Sequence, residues 1–176
     1  MDAVVVYESL WGNTAAIARA IADGLGEGAR ALSTAEATPE VIAAARIVVA
    51  GAPVHAMSLP SEQSRESAKG KPQGRDELAA DLGHPAMRTW LTTLPRGARL
   101  GAAFDTRVRG PLGHGASKAI SRALEASGFT LLGPPRGFTV HMKTHESVPG
   151  ALLYDGELEA AREWGRTLRE NATALA

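Results

Sequence analysis

The sequence predicts an α/β fold in a single domain over residues 1–176, built on a doubly wound five-stranded parallel sheet with strand order 2-1-3-4-5. Two observations carry this prediction. Short runs of apolar residues alternate along the chain with segments in which apolar residues recur every three or four positions. At 176 residues, five strands with helical crossovers are favoured over the six-stranded dinucleotide-binding order.

The predicted elements follow one another along the chain. Continuous apolar runs are typical of strands buried on both faces, and four-residue apolar spacing is typical of helices with one buried face. The predicted strands cover residues 3–7, 29–33, 46–51, 100–104 and, with an interruption at Pro134-Pro135 that fits a sheet edge, 130–140. The predicted helices cover residues 15–25, 38–45 and 87–94, with two more around 120–127 and 158–168.

The composition disfavours several classes of function. The 19 basic and 19 acidic residues balance, so the net field does not favour a nucleic-acid partner. The sequence has no cysteine, which excludes disulfides, thiolate metal sites and a cysteine nucleophile. There is no apolar run of membrane-spanning length and no signal-peptide pattern, so we expect a cytoplasmic protein with no membrane span.

The loop between the first strand and the first helix is the strongest candidate site. It runs over Ser9–Thr14 and offers hydroxyls, an amide and a glycine, with Glu8 the only charged residue at its edge. The free N–H groups and the dipole of the following helix favour an anion there, so the loop predicts a phosphate site made of neutral donors. The alternative is that Ser9 or Asn13 simply caps the helix. The position at the first strand–helix turn favours phosphate.

Two further loops should meet this one at the topological switch point of the sheet. They leave the third and fourth strands and cover residues 52–57 and 105–115. The glycines of the second loop occur in the reverse of the dinucleotide-binding order, so we do not predict a dinucleotide site there. Residues 58–82 form a long polar segment that is either a lid over the site or a disordered insertion.

Five stretches in this order resemble the flavodoxin family, and above all flavodoxin-like domain proteins of actinobacteria. They are Tyr7-Glu8-Ser9, Trp11-Gly12-Asn13-Thr14, Gly51-x-Pro53-x-His55-Ala56, Phe104-Asp105-Thr106-Arg107 and Asp155-Gly156-Glu157-Leu158. The resemblance covers nearly the whole chain. It implies FMN as cofactor and a role in electron transfer or as a small FMN-dependent oxidoreductase of quinone or porphyrinogen type. The implied partner is a redox protein or a small-molecule electron acceptor, and a homodimer is compatible with it.

Carried over by position, the resemblance implies three groups of cofactor-binding residues and assigns neither a catalytic residue nor a metal ligand. The FMN phosphate would be held by Ser9, Leu10, Trp11, Gly12, Asn13 and Thr14. One side of the isoalloxazine would be lined by Pro53, Val54, His55, Ala56 and Met57. The ring and its polar edge would be bordered by Phe104, Asp105, Thr106 and Arg107. An arginine at that edge would stabilise an anionic reduced flavin, which predicts a less negative two-electron potential than is typical of flavodoxins.

Three departures from familiar flavodoxins support a second hypothesis. Trp11 stands where a hydroxyl residue is usual, the net charge is zero, and both ring-side groups lack tyrosine and tryptophan, so that His55 and Phe104 are their only ring-bearing candidates. The alternative is therefore a flavodoxin-like module without flavin, which binds a protein partner or another phosphorylated ligand. A metal site at His141 and His145 is disfavoured, because they follow a strand and converging ligands are not indicated.

Overall fold

The computed structural model describes residues 2–69, 78–110, 115–142 and 148–175. In these ranges the strands are β1 (Ala3–Tyr7), β2 (Ala29–Ser33), β3 (Ile47–Pro53), β4 (Arg99–Val108), β5 (Phe129–Leu131) and β6 (Arg136–Val140). The helices are α1 (Asn13–Leu25), α2 (Pro39–Ala43), α3 (Glu62–Lys69), α4 (Met87–Leu91), α5 (Ala116–Ala126) and α6 (Glu157–Ala174). The strands form one parallel sheet of order β2-β1-β3-β4-β5, with β6 also paired to β4, which confirms the predicted fold class.

Helices cover both faces of this sheet, as a parallel sheet requires. On one face α1 and α6 pack over a core in which the rings of Phe104, Phe138 and Trp164 meet edge to face, with centroids 6.0–6.4 Å apart. On the other face, residues of α2, α4 and α5, among them Ile42 and Ile120, pack against the alternate side chains of β1 and β3. The carboxyl ends of the central strands therefore emerge between two helical layers.

The last strand is interrupted in the predicted way. β5 pairs with residues 99–101 of β4 and β6 pairs with residues 104–108 of the same strand, so the two lie in succession along one edge. The prolines at positions 134 and 135 fall between them, where no ladder hydrogen bond is lost. This second pairing explains why β4 is longer than predicted: it continues past Phe104 to Val108, because β6 supplies its partner.

The polar segment of residues 58–82 contains a helix that the sequence analysis did not predict. Over the part that the structure describes, α3 occupies Glu62–Lys69 and buries Arg65 and Ala68. Residues 70–77 of this segment lie outside the described residues. None of the described helices combines the length and the apolarity that crossing a membrane needs.

Candidate functional site

The loop between β1 and α1 leads into a helix whose N-cap residue is a glycine and so provides no side-chain cap. Gly12 is the N-cap and has a left-handed backbone with φ of +86°, and the first turn of α1 has no acidic residue. The Gly12 N–H donates to the Ser9 hydroxyl oxygen at 3.1 Å, which folds the loop back on itself. Among the described residues, no acidic side chain accepts a hydrogen bond from the start of α1, and the positive end of a helix dipole favours a bound anion.

The acidic residue beside this loop is already neutralised. Glu8 is fully buried, forms an ion pair with Arg65 of α3 and accepts a hydrogen bond from the Met87 N–H at 2.8 Å. The Ser9 N–H donates to His84 Nε2 at 3.4 Å. Sequence reasoning missed Arg65 and His84 as site residues, because they lie 57 and 75 positions from their partners and no local pattern joins them.

A pair of threonine hydroxyls joins the start of α1 to the end of β4. The Oγ atoms of Thr14 and Thr106 lie 2.8 Å apart and both residues are buried. Two hydroxyls that share one hydrogen bond have one further proton to donate. The structure therefore brings together two predicted site residues that are 92 positions apart.

The four predicted residues on β4 do not lie together, because β4 continues through them and successive side chains point to opposite faces. Phe104 is a core residue beneath α1 and α6, and Thr106 shares its face. On the other face, the Asp105 carboxylate accepts from the Ser117 N–H of α5 at 2.9 Å and pairs with Arg107. The Arg107 charge is paired with Asp105, and the expected shift in potential stays a prediction.

The loop after β3 is a tight hairpin. His55 and Ser58 exchange two backbone hydrogen bonds of 2.9 and 3.0 Å around Ala56 and Met57, whose φ angles are +47° and +61°. Left-handed backbone at two successive residues without glycine is strained, and such strain concentrates at ligand sites and switch regions. The Met57 side chain is 49% exposed at the tip of this hairpin.

The indole of Trp11 lies against this hairpin. The ring centroids of Trp11 and His55 are 6.5 Å apart, with an angle of 35° between the planes. The imidazole Nδ1 of His55 is also 3.2 Å from the hydroxyl oxygen of Ser64 on α3. The predicted phosphate side and the predicted ring side of the site are therefore in contact through these two rings.

Residues 148–152, which we call the strap, cross the opposite side of the Ser9–Thr14 loop. The Gly150 N–H donates to the Trp11 carbonyl at 3.0 Å, and the Leu152 N–H donates to Asn13 Oδ1 at 3.1 Å. A Cβ atom built on Gly12 would lie 2.7 Å from the Cβ of Pro149. Glycine at position 12 is thus required both by its backbone angle and by the close approach of the strap.

The remaining candidates do not form a second site within the described ranges. The ring of His141 stacks on Tyr154 with centroids 3.7 Å apart, while His145 and the glycine-rich positions 111–114 lie outside the described residues. Over the part of the chain that the structure describes, no three histidine or acidic side chains converge as metal ligands would.

Comparison with solved structures identifies the architecture. A flavodoxin from the domain Archaea superposes with a TM-score of 0.64 at 20% identity, over 98% of this chain and 99% of that chain. Oxidised flavodoxin 1 from Bacillus cereus superposes with a TM-score of 0.63 at 12% identity, over 97% of this chain and 98% of that chain. The flavodiiron core of Flv1 from Synechocystis superposes with a TM-score of 0.63 at 16% identity, over all of this chain but only 37% of that one.

The chain has a flavodoxin-like fold. No protein-family model matches the sequence, and no curated protein matches it. In the flavodoxin-like fold the loops after β1, β3 and β4 open on one edge of the sheet. At that edge the structure joins Trp11 to His55 and Thr14 to Thr106. The Leu10 side chain is buried, Val54 and Phe104 pack against the core, and Asp105 pairs with Arg107 and accepts from the Ser117 N–H of α5.

Proposed function

We propose that this protein binds FMN at the carboxyl edge of its sheet and acts in electron transfer or as a small FMN-dependent oxidoreductase. The observation that carries the proposal is the start of α1, a helix N-terminus with a left-handed glycine as its N-cap, at the switch point between β1 and β3. The similarity in fold to two flavodoxins supports the choice of ligand.

The residues of the Ser9–Thr14 loop fit a phosphate dianion. The Ser9 hydroxyl accepts from the Gly12 N–H and keeps its own proton to donate, and the Thr14–Thr106 pair offers another. The Glu8 carboxylate is paired with Arg65, so it adds little net negative charge beside the loop. Neutral donors and a helix dipole can hold a doubly charged group without a salt bridge.

The flavin ring would be lined by Trp11 and by residues 53–57. Bound flavin would supply one- and two-electron chemistry, and the contribution of the chain is to bind and orient it. A net charge of zero provides no strong field to steer a charged redox protein, which favours a small-molecule acceptor such as a quinone. Faster oxidation of the photoreduced, FMN-loaded protein by a benzoquinone than by cytochrome c would support that preference, and the reverse order would contradict it.

The test of FMN binding is a titration of the purified chain with FMN, FAD and riboflavin, followed by flavin fluorescence. We expect FMN to bind and riboflavin, which lacks the phosphate, to bind at least about tenfold more weakly, because charge-assisted hydrogen bonds would be lost. Equal affinity for FMN and riboflavin would show that the Ser9–Thr14 loop holds no phosphate. Failure of all three to bind would overturn the proposal.

A second function is favoured by the strap. Because Pro149 and Gly150 lie against Gly12, one side of the Ser9–Thr14 loop is already covered by the chain itself. A module that binds a protein partner or another phosphorylated ligand, without flavin, fits this arrangement. It predicts colourless purified protein that FMN cannot reconstitute but that inorganic phosphate or a phosphopeptide stabilises against heat. Purified protein with flavin absorption bands would exclude it.

A further inference from the structure

A buried ionic contact lies directly behind the proposed phosphate loop. Glu8 is the residue after β1, is fully buried, and its N–H donates to the Gly51 carbonyl of β3 at 3.0 Å. One carboxylate oxygen pairs with Arg65, and the other accepts from the Met87 N–H at 2.8 Å. A buried carboxylate needs such partners, so Glu8 links the end of β1 to α3 and to the start of α4.

Arg65 extends this contact to the segment before α4. It is 9% exposed, and its second terminal nitrogen donates to the His84 carbonyl at 2.6 Å. The His84 ring in turn accepts from the Ser9 N–H at 3.4 Å. Together with the bond between residues 8 and 9, these contacts form a closed ring of Ser9, Glu8, Arg65 and His84.

The His84 ring is a hydrogen-bond acceptor for the backbone of the Ser9–Thr14 loop. Accepting at Nε2 requires the proton on Nδ1, and Nδ1 lies 3.6 Å from an Asp81 carboxylate oxygen that favours this tautomer. The Asp81 N–H donates to the Leu10 carbonyl at 2.8 Å, so residues 81–84 contact the loop backbone twice.

Asp81, His84 and Ser9 are also the residue types of a nucleophilic triad, but the contacts do not match one. The imidazole faces the Ser9 amide, and the Ser9 hydroxyl oxygen accepts from Gly12 instead. In a triad the imidazole accepts from the hydroxyl that attacks the substrate. These residues therefore hold the backbone of the loop and do not activate its serine.

We propose that Glu8, Arg65 and His84 are positioning residues that hold the Ser9–Thr14 loop in its anion-binding shape, with His84 acting on Ser9 directly. As far as it concerns FMN, this inference rests on the proposed function. The Ser9 N–H is buried and would lack its acceptor without His84, so the loop would have to rearrange to satisfy it. That rearrangement would disturb the Ser9–Gly12 bond that shapes the proposed phosphate site.

The experiment compares the wild-type chain with three full-length variants. They are His84→Ala, His84→Gln, whose amide oxygen can accept in place of Nε2, and a control. His141→Ala is the matched control, because that ring is exposed and stacks on Tyr154. Two quantities are measured: the FMN dissociation constant, and hydrogen exchange of the Ser9 amide without ligand. We expect His84→Ala to weaken FMN binding about tenfold and to speed Ser9 exchange at least about tenfold. His84→Gln should restore both, and the control should change neither.

The outcomes separate the two proposals. Wild-type affinity and wild-type Ser9 exchange in His84→Ala would overturn the positioning role and leave FMN binding standing. If the wild-type chain binds no FMN, the proposed function fails, and the Ser9 exchange rates still decide the positioning role. If His84→Ala does not fold, His84→Gln decides: a folded Gln variant with wild-type Ser9 protection supports the role, and one that has lost this protection overturns it.

Discussion

The starts of α1 and α5 differ in one decisive respect. Each helix follows a glycine of positive φ, Gly12 at +86° and Gly115 at +126°, and neither has a side-chain cap from its N-cap residue or an acid in its first turn. At α5 the carboxylate of Asp105 reaches across from β4 and accepts from the Ser117 N–H at 2.9 Å. At α1 the Gly12 N–H donates instead to the neutral hydroxyl of Ser9 at 3.1 Å.

This difference shows that a glycine before a helix does not by itself make an anion site. Both helix starts provide N–H donors and the positive end of a dipole. At α5 one of those donors, the Ser117 N–H, is satisfied from within the protein by a buried carboxylate whose charge Arg107 balances. Among the described residues, no acidic side chain accepts a hydrogen bond from the first turn of α1. The location of the protein's own acids therefore distinguishes the two helix starts.

A large effect is expected from removing the internal anion of α5. Asp105→Asn can still accept from the Ser117 N–H but leaves the Arg107 guanidinium without its counter-charge. We expect a loss of about 3 kcal/mol in the free energy of unfolding, measured in urea, at the low end for a buried pair because the Arg107 side chain is 25% exposed. The control is Asp23→Asn, which removes an exposed partner of Arg162 and should cost less than about 1 kcal/mol. Equal losses in the two variants would contradict the internal-anion interpretation.

The second prediction tests the α1 side. Gly12→Ala places a Cβ 2.7 Å from the Cβ of Pro149 at φ of +86°, so we expect strain and overlap to cost about 2–4 kcal/mol and FMN binding to be lost. Gly156→Ala is the matched control, since Gly156 has the same φ of +86° at the start of α6, and a Cβ built on it would meet no atom of the described residues within 4 Å. It should cost only about 1–2 kcal/mol and leave FMN binding intact. Loss of binding in both variants would point to general destabilisation.

Two serines on α5 test how its polar contacts contribute. The Ser117 hydroxyl oxygen accepts from Arg107 at 3.2 Å, whereas the buried Ser121 hydroxyl has no hydrogen-bond partner among the described residues. We expect Ser117→Ala to destabilise by about 1 kcal/mol and Ser121→Ala to be neutral or to stabilise by up to about 1 kcal/mol, because an unpaired hydroxyl is removed. Urea unfolding of both variants gives the comparison. Equal destabilisation would mean that Ser121 does find a partner in solution.

The smallest expected effect concerns Glu36, which follows β2 and whose carboxylate accepts a backbone hydrogen bond. The N–H and hydroxyl of Ser33 both donate to Glu36 at 2.8 Å, and they hold the pKa of Glu36 below its ordinary value, the backbone N–H having the larger effect. A lowered pKa in the folded state adds stability above the ordinary pKa, and this stability disappears as the pH falls through the lowered value.

Because Glu36 is exposed, the effect of Glu36→Gln should be about 0.5 kcal/mol or less near neutral pH. The measurement is the urea stability of the wild type and the variant from neutral to acidic pH. The difference should vanish at the acid end. A difference that does not change with pH would show that the charge of Glu36 contributes nothing to stability. Burial, more than hydrogen bonding, would then distinguish the contribution of Asp105 from that of Glu36.

The sequence by itself determined the class of the fold and the order of its elements. Strands such as Ala3–Tyr7 and the helix face of Ile17, Ile21 and Leu25 are coded locally, because an apolar run or a periodic apolar face can be buried in only one way. The prolines after β5 likewise indicated an interrupted edge strand, which the pairing of β5 and β6 with β4 confirms. The location of the Ser9–Thr14 loop at the switch point follows from the same order.

Only the tertiary structure decided which polar residues of the predicted site face one another. Asp105 and Arg107 looked like a pair at the edge of a ligand, but β4 continues past them because β6, about 30 residues away, supplies a partner strand. Glu8 looked like a free charge beside the Ser9–Thr14 loop, and Arg65 of α3 neutralises it from 57 positions away. Hydrogen bonds and ion pairs form between atoms that folding brings together. A local pattern of residues does not show which residues far apart in the chain will be close in space.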